Sequence, residues 1–273
     1  MTARISPGIV LLLAVLAAFV LAAAGADLLS THDPLRQSLL LRLRPPGYGG
    51  YLLGTDDLGR DLLSRILFGA RASLAVAALS VSVSLLVGTA LGLMAGWFRG
   101  FAAALIMRLV DIMLSIPAIL LAVLTVAVLG PGFWKLVLVL GLTRWPRYTR
   151  VAYAQTLQVA ALPYIRAAEM AGSRAPRILV HHVLPNIAGP LMVVATSEFG
   201  LMILFEAGLS FLGLGIQPPY PSWGSIMSAG RQYVARAWWL TVFPGACLFV
   251  LVLCVNLAGD WLRDWLDPRE RSR

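Results

Sequence analysis

The sequence predicts an all-α membrane protein with about six transmembrane helices, on three observations. Hydrophobic residues make up 59% of the 273-residue chain and charged residues 13%, with a mean hydropathy of +0.81, well beyond the balance of a soluble domain. Apolar runs recur that are long enough to cross a hydrocarbon core of ~30 Å. The arginines behind the net charge of +9 cluster between those runs, which fits a signal for membrane orientation better than a nucleic-acid surface.

The first run, Ile9 to Leu29, follows Arg4 and contains AAAGA. A cleaved leader is the alternative, but the run is long for one, and a retained helix is expected. Ser30 to Arg71 is polar and rich in Pro and Gly. Within it, Gly54 to Arg71 places Leu58, Leu62, Ile66 and Leu67 at helical spacing, which predicts a short amphipathic helix at the membrane surface, with a plain lead-in to the next span as the alternative. Residues 1–71 are thus read as an N-terminal helix plus an extracytoplasmic segment, and 72–273 as a core of five helices.

The later runs are Ala72 to Trp97, Ala102 to Leu129, Trp134 to about Leu142 with a weak continuation to Ala160, Ile187 to Leu212, and Trp238 to Leu257. Trp97 to Gly100 and Gly130 to Gly132 are turns by their glycine and proline content. Pro117, inside the third run, predicts a kink. No internal repeat suggests inverted halves. Cys247 and Cys254 are seven apart on one predicted helix, ~10 Å along its axis and too far to bridge.

Six spans put both termini on one side. If that side is cytoplasmic, thirteen of the twenty-two basic residues lie inside; three lie outside once the long Ser30 to Arg71 segment is set aside. The termini and the polar island Tyr164 to Asn186 are therefore expected in the cytoplasm.

That island is the most informative stretch. Leu162 to Ala171 reads as a helix on which Ala167, Ala168, Ala171 and Gly172 form a small-residue face open to close approach. Gly172 should close it, Ser173 cap the next helix, Pro176 sit in that helix's first turn, and Leu184-Pro185 end it. A bent, basic, small-faced helix pair is a docking element for a soluble partner.

The island resembles the cytoplasmic signature loop of ABC-transporter permeases, where Glu-Ala-Ala, a following Gly and a downstream Ile-x-Leu-Pro mark the helix that docks on the ATPase. Ala167, Ala168, Gly172, Leu184 and Pro185 match with correct spacing. Arg166 stands where the family has Glu, and Glu169 lies three residues on along the same face. His182 stands where the broad pattern has Ile, as in the peptide and nickel branch. Gly54 to Leu74, Arg108 to Ala122, Glu206 to Gly224, Trp238 to Gly245 and Asn256 to Arg269 resemble further segments of that branch in the right order.

The resemblance implies a type I ABC importer permease of a bacterial inner membrane. It would pair with a second permease, two cytoplasmic ATPases and an extracytoplasmic binding protein, with no role for nucleic acid. The chain contains no G-x-x-x-x-G-K-[ST] loop, so ATP and Mg would belong to the partner ATPases, with no cofactor or enzymatic activity in this chain. Di- or oligopeptides are the expected substrate, nickel the alternative within the branch, and a self-sufficient channel or proton-coupled carrier using Glu198 and Asp111 the alternative of another class.

Charges in the spans are candidates for function by default. Glu198 and Glu206, eight apart on the fifth helix, are possible pathway residues, with Glu198 the stronger; a buried interhelical bond is the competing role. Arg108 and Asp111 are expected to pair at i,i+3. His181 and His182 point ~100° apart and suggest no metal site. Trp238-Trp239 and Trp261-Trp265 are expected at opposite membrane interfaces.

Overall fold

The computed structural model describes residues 7–266, and every element of regular structure longer than three residues within them is helical. The order is α1 (Pro7–Ala24), α2 (Ala26–Leu29), α3 (Leu62–Phe98), α4 (Gly100–Ser115), α5 (Ala118–Leu129), α6 (Phe133–Ala160), α7 (Pro163–Met170), α8 (Ala175–Ile178), α9 (Leu184–Phe211), α10 (Trp223–Gly230) and α11 (Trp239–Leu266). Arg4, Arg269, Arg271 and Arg273, all used in counting sidedness, lie outside the described residues.

Four helices are long and apolar enough to cross a membrane: Pro7–Ala24, Leu62–Phe98, Ala175–Phe211 and Trp239–Leu266. The pair α4 and α5 passes the same test when taken together and is bent by 90°, as a broken span or a re-entrant loop would be; the bend lies where Pro117 interrupts the helix, as the sequence predicts. The sixth expected span is α6. At 28 residues it is long enough, but it carries Lys135, Arg144, Arg147 and Arg150, so apolarity alone would not select it. Its weak second half is helix rather than loop, which moves these three arginines from the cytoplasmic loop assumed in counting sidedness into the body of a helix.

The expected amphipathic helix over Gly54 to Arg71 is not a separate element. Gly54 to Asp61 form turns, and from Leu62 the helix runs unbroken to Phe98. The start lies at Leu62 because Asp61 precedes it as a cap: its Oδ2 accepts from the Ser64 amide at 3.0 Å and from Thr31 Oγ1 at 2.8 Å.

The chain folds into two compact units, through which α3, α9 and α11 all run. The first comprises the chain up to Leu79, Val123–Val137 and Phe199–Ala258. Its polar centre is Asp56, whose Oδ1 accepts from the Leu58 and Arg60 amides, both at 2.9 Å, while Oδ2 lies 2.7 Å from Arg60 Nε and 3.3 Å from Arg65 Nε. Two buried indoles clamp this region: Trp223 Nε1 donates to the Ile66 carbonyl at 3.0 Å, and Trp239 Nε1 to the Thr55 carbonyl at 3.2 Å. Trp239 therefore belongs to the core, and of the pair expected at an interface only Trp238 is exposed. The Arg71 guanidinium caps the end of α1 by donating to the Ala23 and Ala24 carbonyls at 2.9 and 3.0 Å and pairing with Asp27 at 2.8 Å, where a cation meets the negative end of the helix dipole.

The second unit comprises Ser80–Ala122, Leu138–Glu198 and the chain from Gly259 onward. Its core is the packing of α3 on α6. Gly88, Gly92 and Gly96, spaced by four, put one glycine edge against α6. A Cβ on Gly88 would stand 2.5 Å from the Trp145 carbonyl oxygen, one on Gly96 2.6 Å from Thr156 Cβ, and one on Gly92 would overlap Ala152 Cβ. This close approach lets hydroxyls bond across it: Ser84 Oγ donates to the Gly141 carbonyl at 2.7 Å and Thr149 Oγ1 to the Gly88 carbonyl at 3.0 Å. Small residues on facing helices are how membrane helices gain packing where water supplies no drive.

Candidate docking loop and buried carboxylates

The loop from Pro163 to Asn186 lies in the second unit. Pro163 opens α7, where its missing N–H costs nothing. The helix stops at a Schellman closure: the Ser173 amide donates to the Ala168 carbonyl at 3.1 Å and the Gly172 amide to the Glu169 carbonyl at 2.9 Å. Gly172 has φ +81°, the left-handed conformation that glycine adopts without strain. Arg174 rather than Ser173 occupies the cap position of α8, with no side-chain bond, and Pro176 is in the first turn as expected.

Ile165, Ile178 and Val183 are fully buried, so the apolar side of α7 and α8 faces inward. Arg166, Ala167, Glu169, Met170, Ala171 and Gly172 are exposed, Met170 at 83%, and Ala168 is half-buried. A Cβ on Gly172 would meet nothing within 4 Å. The expected small face is thus open, and it is edged by the exposed Arg174 and Arg177.

Leu184-Pro185 does not end a helix. Ala175–Phe211 is one continuous helix, in which Leu179–Val183 winds as a π turn immediately before Pro185. Pro185 has no N–H for the His181 carbonyl and its ring crowds that position, and the wider π turn accommodates both. The Asn186 side-chain amide returns to the His182 carbonyl at 2.6 Å and also donates to Tyr164 Oη at 3.1 Å. The His182 ring meets the Tyr164 ring edge to face, centroids 6.4 Å apart. His182 and Asn186 therefore fasten α7 to the base of α9.

Further along α9 lie the two carboxylates expected to face a pathway, and both are fully buried. Glu198 is held by two guanidiniums of α6: Arg144 Nε reaches Oε2 at 2.7 Å and Nη2 reaches Oε1 at 2.9 Å, while Arg147 Nη1 reaches Oε1 at 3.0 Å. This is the interhelical bond that the sequence offers as the competing role. Glu206, in the first unit, accepts from Ser210 Oγ at 2.7 Å, with Ser73 and Ser222 as its other polar neighbours. It ties the end of α9 to the capped start of α10, where Ser222 and Ser225 form a reciprocal capping box.

The expected Arg108 to Asp111 pair is replaced. Asp111 of α4 pairs with Arg150 of α6 at 2.5 Å, because a neighbouring helix brings a better-placed cation than the i−3 residue. Arg144 and Arg147 are the residues that sequence reasoning missed. A signal was available, since a mid-helix cation and Glu198 are each costly in a bilayer unless paired.

Residues 88–272 match the family model described as "Binding-protein-dependent transport system inner membrane component". The chain is 45% identical over 258 residues to the Di/tripeptide transport system permease protein DppC of Pseudomonas aeruginosa (strain UCBPP-PA14), covering 93% of this chain and 85% of that protein. It is 40% identical over 231 residues to the Glutathione transport system permease protein GsiD of Pectobacterium atrosepticum, covering 85% and 77%. Among solved structures, an inward-facing form of the MetNI methionine ABC transporter aligns with TM-score 0.58 at 20% identity, covering 74% of this chain and 96% of that one, a likeness of fold. With the matched region taking in α6, the docking loop, both buried carboxylates and α11, the chain belongs to the family of binding-protein-dependent transport system inner membrane components.

Proposed function

We propose that this chain is one permease subunit of an ATP-driven importer of di- or oligopeptides, and that the loop Pro163 to Asn186 is where a cytoplasmic ATPase docks. The observation that carries the docking role is the exposure of Ala167, Ala171 and Gly172 beside an uncovered Met170, on a helix anchored by the buried Ile165. Small residues next to one large apolar side chain leave room for a partner surface to approach closely and give it something to grip. The peptide assignment is supported by relatives named for di/tripeptide and glutathione transport.

In this reading a second permease completes the pathway, a binding protein delivers substrate, and ATP and Mg reside on the ATPases. Both termini and the loop face the cytoplasm; the exposed Arg166, Arg174 and Arg177 are on the side that the positive-inside rule favours. Because α8 and α9 form one continuous helix, closure of the ATPases would be carried along it toward Glu198.

The test is uptake into proteoliposomes holding the assembled transporter and its loaded binding protein. ATP-dependent accumulation of a labelled dipeptide is expected. Peptide uptake by this chain alone without ATP, or uptake of nickel in place of peptide, overturns the reading. Ala167→Trp should abolish copurification of the ATPases, and a complex that still copurified would remove the docking role.

A further inference from the structure

The charge cluster on α6 and α9 is unbalanced. Glu198 offers one carboxylate to two guanidiniums. Arg144, 90% buried along its side chain, engages both carboxylate oxygens, which is the full bidentate pairing that an Arg and a Glu can make. Arg147 is the surplus cation. Its side chain is 53% exposed and it reaches Glu198 through Nη1.

Its position makes that surplus informative. Arg147 lies 13 residues before the end of α6, ~20 Å along the axis, and Glu198 lies 14 residues into α9, ~21 Å from its start. Both therefore lie near the middle of their helices, well away from the loop Pro163 to Asn186. The open residues of α6 just before it, Leu138 and Leu142, are apolar, and from Arg147 onward they turn polar, with Arg150 and Gln158 flanking Ala154. Arg150 is already matched by Asp111, so the excess positive charge falls on Arg147. A half-exposed cation at mid-helix is costly in a bilayer unless an anion or a polar surface meets it.

Resting on the peptide reading above, we propose that Arg147 binds the α-carboxylate of the peptide in transit, and that Glu198 is its positioning residue. The bond to Glu198 fixes the guanidinium through Nη1, and the rest of the planar fork remains to meet a second carboxylate. Arg144 meanwhile keeps Glu198 neutralised, so that binding a second anion beside it is not opposed by an uncompensated charge.

The experiment uses the complete transporter in proteoliposomes, with the binding protein saturated by either alanyl-alanine or its C-terminal amide, and reads the ratio of free-acid to amide uptake. In Arg147→Gln that ratio should fall about tenfold, the size of one charge-assisted hydrogen bond, and Arg147→Lys should recover part of it. Arg236→Gln, an exposed cation of the first unit, should leave the ratio unchanged. An unchanged ratio in Arg147→Gln overturns the assignment, as does a loss of both uptakes in equal proportion, which would mark a structural role. If Arg147→Gln does not assemble, Arg147→Lys and Arg147→Met are compared in its place, and equal ratios in the two overturn the assignment. A wild-type transporter that carries neither peptide overturns the peptide reading itself, a result separate from any obtained with the variants.

Discussion

Arg144 grips Glu198 through both carboxylate oxygens, at 2.7 and 2.9 Å, across 54 residues of sequence and with the carboxylate fully buried. Removing one member of such a pair leaves the other charged and unsolvated, which costs about 3 to 5 kcal/mol. Arg144→Met should therefore lower the melting temperature in detergent sharply. Combined with Glu198→Leu it should lower it less than the sum of the two single changes, because the only cation then left without its carboxylate is the half-exposed Arg147. A double variant as unstable as the sum of its singles would mean that the pair is not a unit.

The glycine edge of α3 makes a prediction of the opposite kind, in which adding atoms is harmful. A Cβ on Gly92 has no room beside Ala152, so Gly92→Ala should cost about 1 to 3 kcal/mol through overpacking. Gly245→Ala is the matched control, since a Cβ there would lie 3.8 Å from Met227 Cε, an ordinary contact. Thermal melting by tryptophan fluorescence compares the two.

In the docking loop, Gly172 sits at φ +81° with empty space around its Cβ position, so substitution there is penalised by backbone conformation alone. Gly172→Val should cost about 1 to 2 kcal/mol locally and loosen the Schellman closure of α7. The expected result is a monodisperse transporter whose peptide-stimulated ATP hydrolysis is reduced. Unchanged stimulation would show that the loop tolerates a different exit from α7.

Asp56 offers a fourth case, in the first unit. It lies against both Arg60 and Arg65 and accepts two backbone amides. Asp56→Asn keeps an acceptor for the amides and loses the charge facing the guanidiniums, so a loss of about 2 to 3 kcal/mol is expected. Asp56→Ala should lose more, and proteolysis within 30–61 should report the loosening.

Much of the fold was legible because hydropathy marks where helices cross a membrane and proline marks where they bend. The bend in the run Ala102 to Leu129 lies at Pro117 as expected, and it is sharp enough to divide the run into two helices. The helix over 163–170 and its closure at Gly172 were legible too, since glycine and the alanines are local signals. What failed depended on distant partners. Arg144 and Arg147 looked like loop residues because their neutralising carboxylate lies 51 to 54 positions away. Asp111 was assigned its i−3 neighbour for want of knowing that α6 passes beside α4. Pro185 suggested a helix end because a sequence does not display the π turn that lets the helix continue. The glycine spacing at 88, 92 and 96, by contrast, was in plain view and went unread.

The π turn at Leu179–Val183 also keeps the loop in register. Such a turn takes in one residue more than an α turn, and one residue corresponds to ~100° of rotation about the helix axis. The turn absorbs that residue locally, so the helix on either side of it keeps its phase. Deleting one residue between Leu179 and Val183 would return the turn to α geometry, press the Pro185 ring against the preceding turn and pull His182 out of register with Tyr164, so that the hold of α7 on α9 is what the extra residue secures.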